Sequence, residues 1–301
     1  MLEVFLRLAP WILLRMENGH IATIDDVRKF WQQAPCGEIY ASGVSPSRQF
    51  EAHAQARFGL EPYIRSFAGF AGGRGRDVLE VGVGLGADHV EWAKADPRSL
   101  TGIDLTEAAV SYTRQRLAAY DLPSTVMIAD AEQLPFIDES FDLVYSWGVL
   151  HHSPNTAKAV QEVYRVLRPQ GTARIMVYHK YSIVGLMLFL RFGVLAGKPK
   201  RSLASIYADH LESPGTKAYT IEECRSLFCD FSDVSVRSQL SFGDLLEGEV
   251  GQRHRGGLLK VAKWAWPRWL LRRTAARLGL YLLIEASKGK APATSCSGKG
   301  R

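Results

Sequence analysis

Three closely spaced glycines and an acidic residue form the most informative pattern in this 301-residue chain. Gly82, Gly84 and Gly86 follow the apolar run VLEV, which is typical of a strand buried on both faces of a parallel sheet. Glycines here allow a sharp turn and a close approach of a ligand to the backbone. Asp104 stands 22 residues beyond Gly82, where a carboxylate can accept hydrogen bonds from both hydroxyls of a ribose. The pattern predicts a site for an adenosine-type ligand.

The glycines alone do not define the ligand, because Gly82, Gly84 and Ala87 also fit the G-x-G-x-x-G/A fingerprint of dinucleotide sites. Two further carboxylates favour a cationic ligand. Glu80 precedes the glycines, where it would repel a pyrophosphate but could pair with an ammonium group. Asp130 follows the third predicted strand, where it could accept from an adenine amino group. No Tyr has a Lys four residues later, which is the short-chain dehydrogenase pair. S-adenosylmethionine, a sulfonium with an amino acid tail, fits these carboxylates better than a diphosphate does.

Five motifs occur in the order typical of class I S-adenosylmethionine-dependent methyltransferases, and the chain resembles that family over residues 77–180. They are EVGVGLG at 80–86, Asp104, DAEQLPF at 130–136, FDLVYSWGVLHH at 141–152 and EVYRVLRPQG at 162–171. These motifs are most similar to those of the branch that contains the ubiquinone and menaquinone C-methyltransferases and many small-molecule methyltransferases. The resemblance implies a Rossmann-like α/β fold. Its doubly wound seven-stranded sheet would have an antiparallel last strand, an N-terminal helical cap and insertions after strands 5 and 6.

The alternation of apolar runs with helical periodicity supports a doubly wound parallel sheet. Strands are predicted near 77–82, 99–104, 124–130, 141–148 and 171–179, with final strands at 233–240 and 281–287. Helices are predicted near 87–95, 106–120 and 155–167, and residues 24–75 read as helices, with helix-like spacing over 48–70.

These elements predict five regions along the chain. They are an N-terminal helical cap at 1–75, an S-adenosylmethionine-binding core at 76–180, a substrate-lid insertion at 181–230, the C-terminal strands of the core at 231–287 with a basic Trp-rich insertion at 241–280, and a disordered tail at 288–301. Residues 1–15 are interrupted by Glu3, Arg7 and Pro10, which favours a docking helix over a signal peptide.

Composition favours a globular, cytoplasmic protein. Apolar residues make up 47% of the chain, and the four cysteines show no C-x-x-C pair and no disulfide-like framework. The longest apolar run, 183–190, is too short to span a bilayer, so no transmembrane helix is predicted. Basic residues are concentrated at one end, because residues 250–301 carry 12 Lys and Arg against the single Glu285. Such a segment suits nucleic acid, anionic lipid, an anionic substrate or a solvated face.

The predicted cofactor-binding residues come from the motifs of the resemblance. They are Glu80, Gly82, Gly84, Gly86, Asp104, Leu105, Asp130, Ala131, Glu132, Ser146 and Trp147. Trp147 could equally belong to the core. His151 and His152 are the candidate catalytic residues, since an imidazole can take a proton from an attacking group. The alternative is a structural turn after the fourth strand. No metal site is predicted, because no Cys or carboxylate offers a characteristic ligand spacing.

Candidate substrate-binding residues lie in the cap, at the end of the fifth strand and in the two insertions. They are Tyr40, Tyr178, His179, Tyr207, Arg253 and Arg255, with His210, Lys217 and Tyr219 as further cavity candidates. Each has packing or surface exposure as its alternative. The basic pair with His254 could hold a carboxylate or phosphate, or form a solvated loop.

Residues 258–280 mix three tryptophans and several leucines with six Lys and Arg. This pattern suits peripheral contact with anionic lipid, packing on the sheet, or a homodimer contact. No nucleic-acid partner is expected, because no recognised binding module is present.

The sequence therefore predicts a methyltransferase that uses S-adenosylmethionine and acts on a small molecule by in-line displacement. Two alternatives stay open. One is a lipid or quinone methyltransferase at the membrane surface, and the other is a protein that binds S-adenosylmethionine without methylating a substrate.

Overall fold

The computed structural model describes residues 22–33, 46–247 and 266–289. Several predictions fall outside these ranges. They are the docking helix in 1–15, the substrate contacts of Tyr40, Arg253 and Arg255, and the tail beyond residue 289.

Seven strands form one sheet with the order β3-β2-β1-β4-β5-β7-β6. They are β1 (Asp77–Val81), β2 (Ser99–Asp104), β3 (Thr125–Ile128), β4 (Phe141–Trp147), β5 (Leu167–Tyr178), β6 (Asp233–Gln239) and β7 (Tyr281–Ser287). The five neighbouring strands β3, β2, β1, β4 and β5 pair in parallel, whereas β7 runs antiparallel to both β5 and β6. The predicted Rossmann-like sheet with an antiparallel last strand is confirmed. In this arrangement β1 and β4 are neighbours, so the strand order reverses beside the glycine turn.

Ten α-helices are present in the described ranges. They are α1 (Ile24–Gln33), α2 (Pro46–Leu60), α3 (Tyr63–Ala68), α4 (Ala87–Lys94), α5 (Glu107–Ala119), α6 (Thr156–Val166), α7 (Ile183–Phe189), α8 (Leu203–His210), α9 (Ile221–Leu227) and α10 (Arg268–Thr274). Short helical turns lie at Phe70–Gly73, Leu150–His152 and Ala276–Leu278, and a π-helical segment, Leu190–Val194, continues α7.

Two boundaries differ from the prediction. The helical stretch expected over 48–70 is interrupted between α2 and α3, where Pro62 lacks the N–H that an uninterrupted helix needs. Strand β5 begins at Leu167 rather than near 171, because Leu167 pairs with Phe141 across a register irregularity that precedes the regular pairing of Leu143 with Thr172.

The sheet is buried on both faces. Val78 and Tyr145 point into one apolar cluster, and Leu79 and Val144 point into the other. This alternation along β1 and β4 is the reason that both strands read as nearly continuous apolar runs. The carboxyl ends of the strands remain for the site.

The helix preceding the core is held by a buried ion pair. Arg57 on α2 donates from Nε to Asp88 Oδ1 at 2.7 Å and from Nη2 to Oδ2 at 2.6 Å. Tyr145 on β4 also donates its hydroxyl to Asp88 Oδ2 at 2.7 Å. Because Asp88 lies in the first turn of α4, these bonds fix α2 against the helix that follows the glycine turn.

The cysteines differ from the expectation in one respect. Cys229 is disulfide-bonded, which the cysteine spacing did not predict. Cys224 is a buried free thiol. Within the described residues, no helix combines the length and the apolar character needed to cross a membrane.

Candidate active site

The glycine turn has one crowded side and one open side. Gly82, Gly84 and Gly86 all have positive φ angles, of 84°, 51° and 71°, which disfavour other residue types. A Cβ atom on Gly82 would lie 2.1 Å from Val149 Cγ2, whereas one on Gly84 would meet no atom within 4 Å. The open side at Gly84 therefore leaves space beside the backbone, and the binding of a ligand there stays a prediction.

Asp104 holds this turn in place. Its Oδ2 accepts from Gly84 N at 3.0 Å, and its Oδ1 accepts from Thr106 N at 3.0 Å and Thr106 Oγ1 at 2.9 Å. Burial raises the pKa of Asp104, and these hydrogen bonds oppose that effect. A carboxylate offers about four lone-pair sites, so roughly one remains. Binding both hydroxyls of a ribose would require one of the three internal bonds to yield.

Glu80 has an internal partner that the sequence did not reveal. Its Oε2 lies 2.8 Å from His89 Nδ1, and His89 Nε2 lies 2.7 Å from Ser124 Oγ. Burial raises the pKa of Glu80 well above its usual value and lowers the pKa of His89 to about 3. The pair therefore carries little net charge in the folded protein. Pairing of Glu80 with an ammonium group stays a prediction.

The turn after β3 lies beside Asp104, because Ala129 N donates to the Asp104 carbonyl at 3.0 Å. Asp130 Oδ1 accepts from Glu132 N at 2.8 Å, which shapes the turn. The Glu132 carboxylate in turn accepts from Asn155 N at 2.6 Å at the start of α6. Asp130 and Glu132 are half-buried, as are the predicted neighbours Leu105 and Ala131. These residues share one edge of the site.

The end of β4 carries an aromatic wall. The Trp147 ring stacks on Tyr63 of α3, with centroids 6.1 Å apart, and makes edge contacts with Phe67 and with Tyr281 of β7. These contacts fit the alternative that Trp147 is a packing residue, although its side chain stays half-buried. Ser146 is fully buried, and its hydroxyl donates to the Val81 carbonyl at 2.9 Å. This use of the Ser146 side chain inside the sheet argues against a cofactor contact.

His151 is a buried imidazole without a hydrogen bond. Its ring lies 4.1 Å from the Tyr178 ring and 4.2 Å from the His152 ring, measured between centroids. Neither ring nitrogen of His151 has a hydrogen-bond partner within the described structure. Burial lowers the pKa of His151 well below its usual value, and His152 and Lys217 contribute to the same shift. His151 is therefore neutral and a weak base.

His152 has a set of polar neighbours from the insertion after β5. Its Nδ1 lies 2.8 Å from Ser213 Oγ and 3.1 Å from Thr216 Oγ1. Its Nε2 lies 3.3 Å from Glu212 Oε2, outside hydrogen-bond geometry. Tyr178 donates its hydroxyl to the same Glu212 oxygen at 2.7 Å. The structure thus adds Glu212, which the sequence reasoning missed, to the predicted His152 and Tyr178.

Helix α1 connects the two parts of this edge. The Trp31 ring makes an edge contact with His152 at 5.1 Å, and Gln32 Oε1 accepts from Ala108 N at 3.4 Å, near the start of α5. Ala108 follows Asp104 by four residues. The adjacent residues Trp31 and Gln32 therefore join the Asp104 side and the His152 side of this edge, and the closing of a cap over the cofactor stays a prediction.

Three of the other predicted substrate residues serve the packing of the insertion. Tyr207 is fully buried and shares hydrogen bonds with Ser182 Oγ and the carbonyls of His179 and Lys180. His179 Nδ1 is bonded to the Gly279 carbonyl at 3.1 Å, and burial lowers its pKa. His210 stacks on Phe192. These contacts argue against direct substrate binding by Tyr207, His179 and His210.

An open cavity of about 1010 Å³ lies on the far side of His152. Lys217 and Tyr219, both predicted candidates, line it together with Thr216 and residues of α8 and α9. Lys217 Nζ donates to the Ser153 carbonyl at 2.6 Å, and burial lowers its pKa. The cavity adjoins the histidines but does not include the glycine turn. Across the described ranges, no group of three His, Cys, Asp or Glu residues is placed to hold a metal ion.

The sheet order, the glycine turn at its switch point and the strand-end Asp104 define a Rossmann-like domain for an adenosine-type cofactor. Residues 79–175 match the family described as methyltransferase domain. This part of the chain is similar to the class I S-adenosylmethionine-dependent methyltransferases, whose cofactor is S-adenosylmethionine.

Curated relatives match the same region. One is the 27-O-demethylrifamycin SV methyltransferase of Amycolatopsis mediterranei, 35% identical over 99 residues, which are 32% of this chain and 36% of the relative. Another is the phthiotriol/phenolphthiotriol dimycocerosates methyltransferase of Mycobacterium tuberculosis, 39% identical with the same coverage. The match therefore spans about a third of the length of these relatives.

Solved structures share the fold over most of the chain. The [4+2]-cyclase SpnF has a TM-score of 0.55 and 18% identity, covering 90% of this chain and 98% of its own. A chain in the complex between the Haloferax volcanii Trm112 methyltransferase activator and the putative methyltransferase has a TM-score of 0.51 and 19% identity. The match covers 82% of this chain and 99% of that chain. Because one neighbour is a cyclase, the fold by itself does not carry an activity.

Proposed function

We propose that this protein transfers a methyl group from S-adenosylmethionine to a small-molecule acceptor. The carrying observation is the open glycine turn at Gly84, tied to the Asp104 carboxylate, at the same edge as the His152 and Tyr178 side chains. The matching relatives are named as methyltransferases of a rifamycin and of phthiotriol-type compounds, which supports a small-molecule acceptor. We further propose that the enzyme acts in the cytoplasm.

The residues present fit the cofactor at two points. The side of the turn that a Cβ on Gly84 would occupy is free of protein atoms, and Asp104 keeps capacity for a further donor. Asp104 would hold the ribose and Asp130 the adenine amino group. When bound, S-adenosylmethionine supplies an electrophilic methyl group on a cationic sulfur. The chain contributes orientation and exclusion of water, with α1 lying across the edge.

On the acceptor side, we propose that His152 and Glu212 receive a proton when the acceptor must lose one. His152 lies 3.3 Å from Glu212, and Tyr178 holds the same carboxylate oxygen, so the three groups are already adjacent. His152 also lines the cavity, whereas His151 is enclosed between rings. His151 therefore has a packing role in this proposal.

The cofactor assignment is tested by titrating S-adenosylhomocysteine calorimetrically into the wild type, Asp104→Ala and Asp138→Ala. A charge-assisted hydrogen bond to a ribose hydroxyl is worth about 1.5–3 kcal/mol, so losing the one that Asp104 has capacity to accept should weaken binding by at least ~10-fold. Asp138 is an exposed carboxylate paired with Arg165, and its variant should bind like the wild type. Thermal melting of Asp104→Asn checks that the turn stays folded. Unchanged affinity in both folded Asp104 variants would overturn the assignment.

The reaction itself is tested by incubating the protein with methyl-labelled S-adenosylmethionine and a host extract. Enzyme-dependent label in polar small metabolites supports the proposal. Label in the lipid phase would instead favour the lipid or quinone alternative. Stoichiometric cofactor binding with no methylated product from any extract would favour the non-methylating alternative.

A further inference from the structure

The exposed apolar side chains of this protein are concentrated on two segments. Of the ten large hydrophobic residues exposed in the described ranges, eight lie in 181–195 and 269–278. They are Tyr181, Leu186, Leu190, Val194, Leu195, Trp269, Leu270 and Leu278. Scattered exposed apolar residues need no explanation, but a concentrated set marks an interaction surface. We call these two segments the α7/α10 face.

The two segments belong to one structural unit. Ile183 and Met187 of α7 pack in a small apolar cluster with Leu271 and Ala275 of the α10 segment. At 100° per residue, Ile183, Met187 and Leu190 lie within about 60° around the helix axis. Leu190 therefore extends the packed side of α7 beyond the cluster. The exposed Leu186, Leu190 and Val194 follow one another at four-residue intervals along that direction.

The charge of the α7/α10 face has a single sign. Residues 181–195 contain Arg191, residues 269–278 contain Arg272, Arg273 and Arg277, and neither segment contains Asp or Glu. Two carboxylates from outside these segments contact the face: Asp244 accepts from Val184 N at 3.2 Å, and Glu247 pairs with Arg272. Arg273 lies over the Trp269 ring, 4.5 Å from its centroid. Apolar side chains, an exposed Trp and surrounding cations are the combination that binds anionic lipid surfaces.

The face lies at the same end of the sheet as the candidate site. Helix α7 begins shortly after β5 ends at Tyr178, and α10 leads into β7, which begins at Tyr281. Tyr178 and Tyr281 are register partners, so both segments emerge at the carboxyl edge of the parallel strands. A surface docked against the α7/α10 face would therefore adjoin this edge.

We propose that the α7/α10 face docks on the surface of an anionic lipid membrane. The helices lie in the interface, with Leu186, Leu190 and Trp269 among the lipid chains and arginines among the headgroups. This inference does not depend on methyl transfer, because it concerns a surface outside the cofactor site.

The test is cosedimentation of the full chain with vesicles of phosphatidylcholine alone or mixed with phosphatidylglycerol. We expect binding to the anionic vesicles, weak binding to the neutral ones, and partial release at ~1 M salt, where the Debye length falls to about 3 Å. The double variant Leu186→Glu and Leu190→Glu should lose at least tenfold in the vesicle partition coefficient. Ile137→Glu is the matched control, because Ile137 is 82% exposed elsewhere, and it should bind like the wild type.

A second pair of variants separates charge from apolar contact. Arg273→Glu with Arg277→Glu should reduce binding to anionic vesicles by at least tenfold and leave the weak binding to neutral vesicles unchanged. Failure of the wild type to bind anionic vesicles overturns the proposal. So does equal binding by the leucine double variant, once circular dichroism shows that it is folded. A wild-type dimer in size-exclusion chromatography that the leucine variant converts to a monomer, without vesicle binding, would assign the face to a second copy of the chain instead.

Discussion

Replacing Arg57 with methionine tests whether the helix before the core is fixed by its buried ion pair. The Asp88 carboxylate is buried and accepts two hydrogen bonds from Arg57 and one from Tyr145. Burial alone would raise the pKa of Asp88, but Arg57 lowers it below the usual value. Methionine keeps most of the apolar stem of the arginine and removes its charge. Of these three hydrogen bonds, the Asp88 carboxylate then keeps the one from Tyr145.

Removing one partner of a buried ion pair costs about 3–5 kcal/mol, because the other charge stays buried without compensation. Arg57 is still 21% exposed, which places the expectation near the lower limit, at about 3 kcal/mol. For a domain of this size, that loss lowers the melting temperature by roughly 6–12 °C. Urea unfolding measured at neutral pH gives the free energy directly.

Arg65→Met is the matched control. Arg65 joins α3 to the same helix α4 through Glu91 at 2.6 Å, but it is 54% exposed. It also lies over the Phe58 ring. Such an exposed pair contributes about 1 kcal/mol or less. Equal losses for Arg57→Met and Arg65→Met would refute the reasoning from burial. The double variant Arg57→Met with Asp88→Asn should recover part of the loss, because the buried Asp88 charge is gone. Recovery should be incomplete because Glu61, which lies 3.8 Å from Arg57 and is also buried, has lost the same partner.

Three further predictions follow from the site. Gly82→Ala should lower the free energy of unfolding by at least about 2 kcal/mol, because its Cβ would overlap Val149. Gly84→Ala should lower it by about 1 kcal/mol. Gly84→Ala should also weaken S-adenosylhomocysteine binding by at least tenfold, since its methyl group fills the open side of the turn. The pKa of His89 is about 3 in the folded protein and near 6.5 unfolded, so the unfolded state binds a proton first as the pH falls. The contribution of His89 to stability should therefore decrease from about pH 6.5 towards pH 3, opposed above about pH 4.5 by Glu80, which keeps its proton in the folded protein. His89→Gln should remove the His89 contribution of about 1.4 kcal/mol per pH unit in urea titrations. Glu212→Gln should leave S-adenosylhomocysteine affinity unchanged and lower turnover at least tenfold for an acceptor that loses a proton, and wild-type turnover would contradict its role.

The strands were predictable because the sheet is buried on both faces. The boundaries of β2 and β7 match the predicted ones, and β1, β3 and β4 differ by one or two residues at an end. The break between α2 and α3 had a visible signal in Pro62. The early start of β5 had no visible signal in the local periodicity, because it depends on the pairing of Leu167 with Phe141.

The cofactor side of the site was also predictable in outline, since Gly84 and Asp104 are joined within one β-α-β unit. The internal partners were not. His89 bonds to Glu80 because it lies on the inner side of α4, and the Ser146 hydroxyl bonds to β1 because both faces of β4 are covered. Each contact depends on how the chain packs around the strand and not on the motif that identifies it.

Glu212 shows why the acceptor side was harder to predict. The segment that carries it returns to the core through two backbone hydrogen bonds, from Lys217 N to the His151 carbonyl and from Tyr219 N to the Tyr178 carbonyl. This return brings Glu212 to His152 across about 60 residues of sequence, a separation that no local pattern encodes. In the proposed function, the core supplies the cofactor contacts and the insertion after β5 supplies the groups that meet the acceptor. Relatives that share only the core sequence can consequently share the cofactor without sharing the acceptor. This expectation applies to the rifamycin and phthiotriol-type relatives, because their similarity to this protein is confined to about a third of each chain.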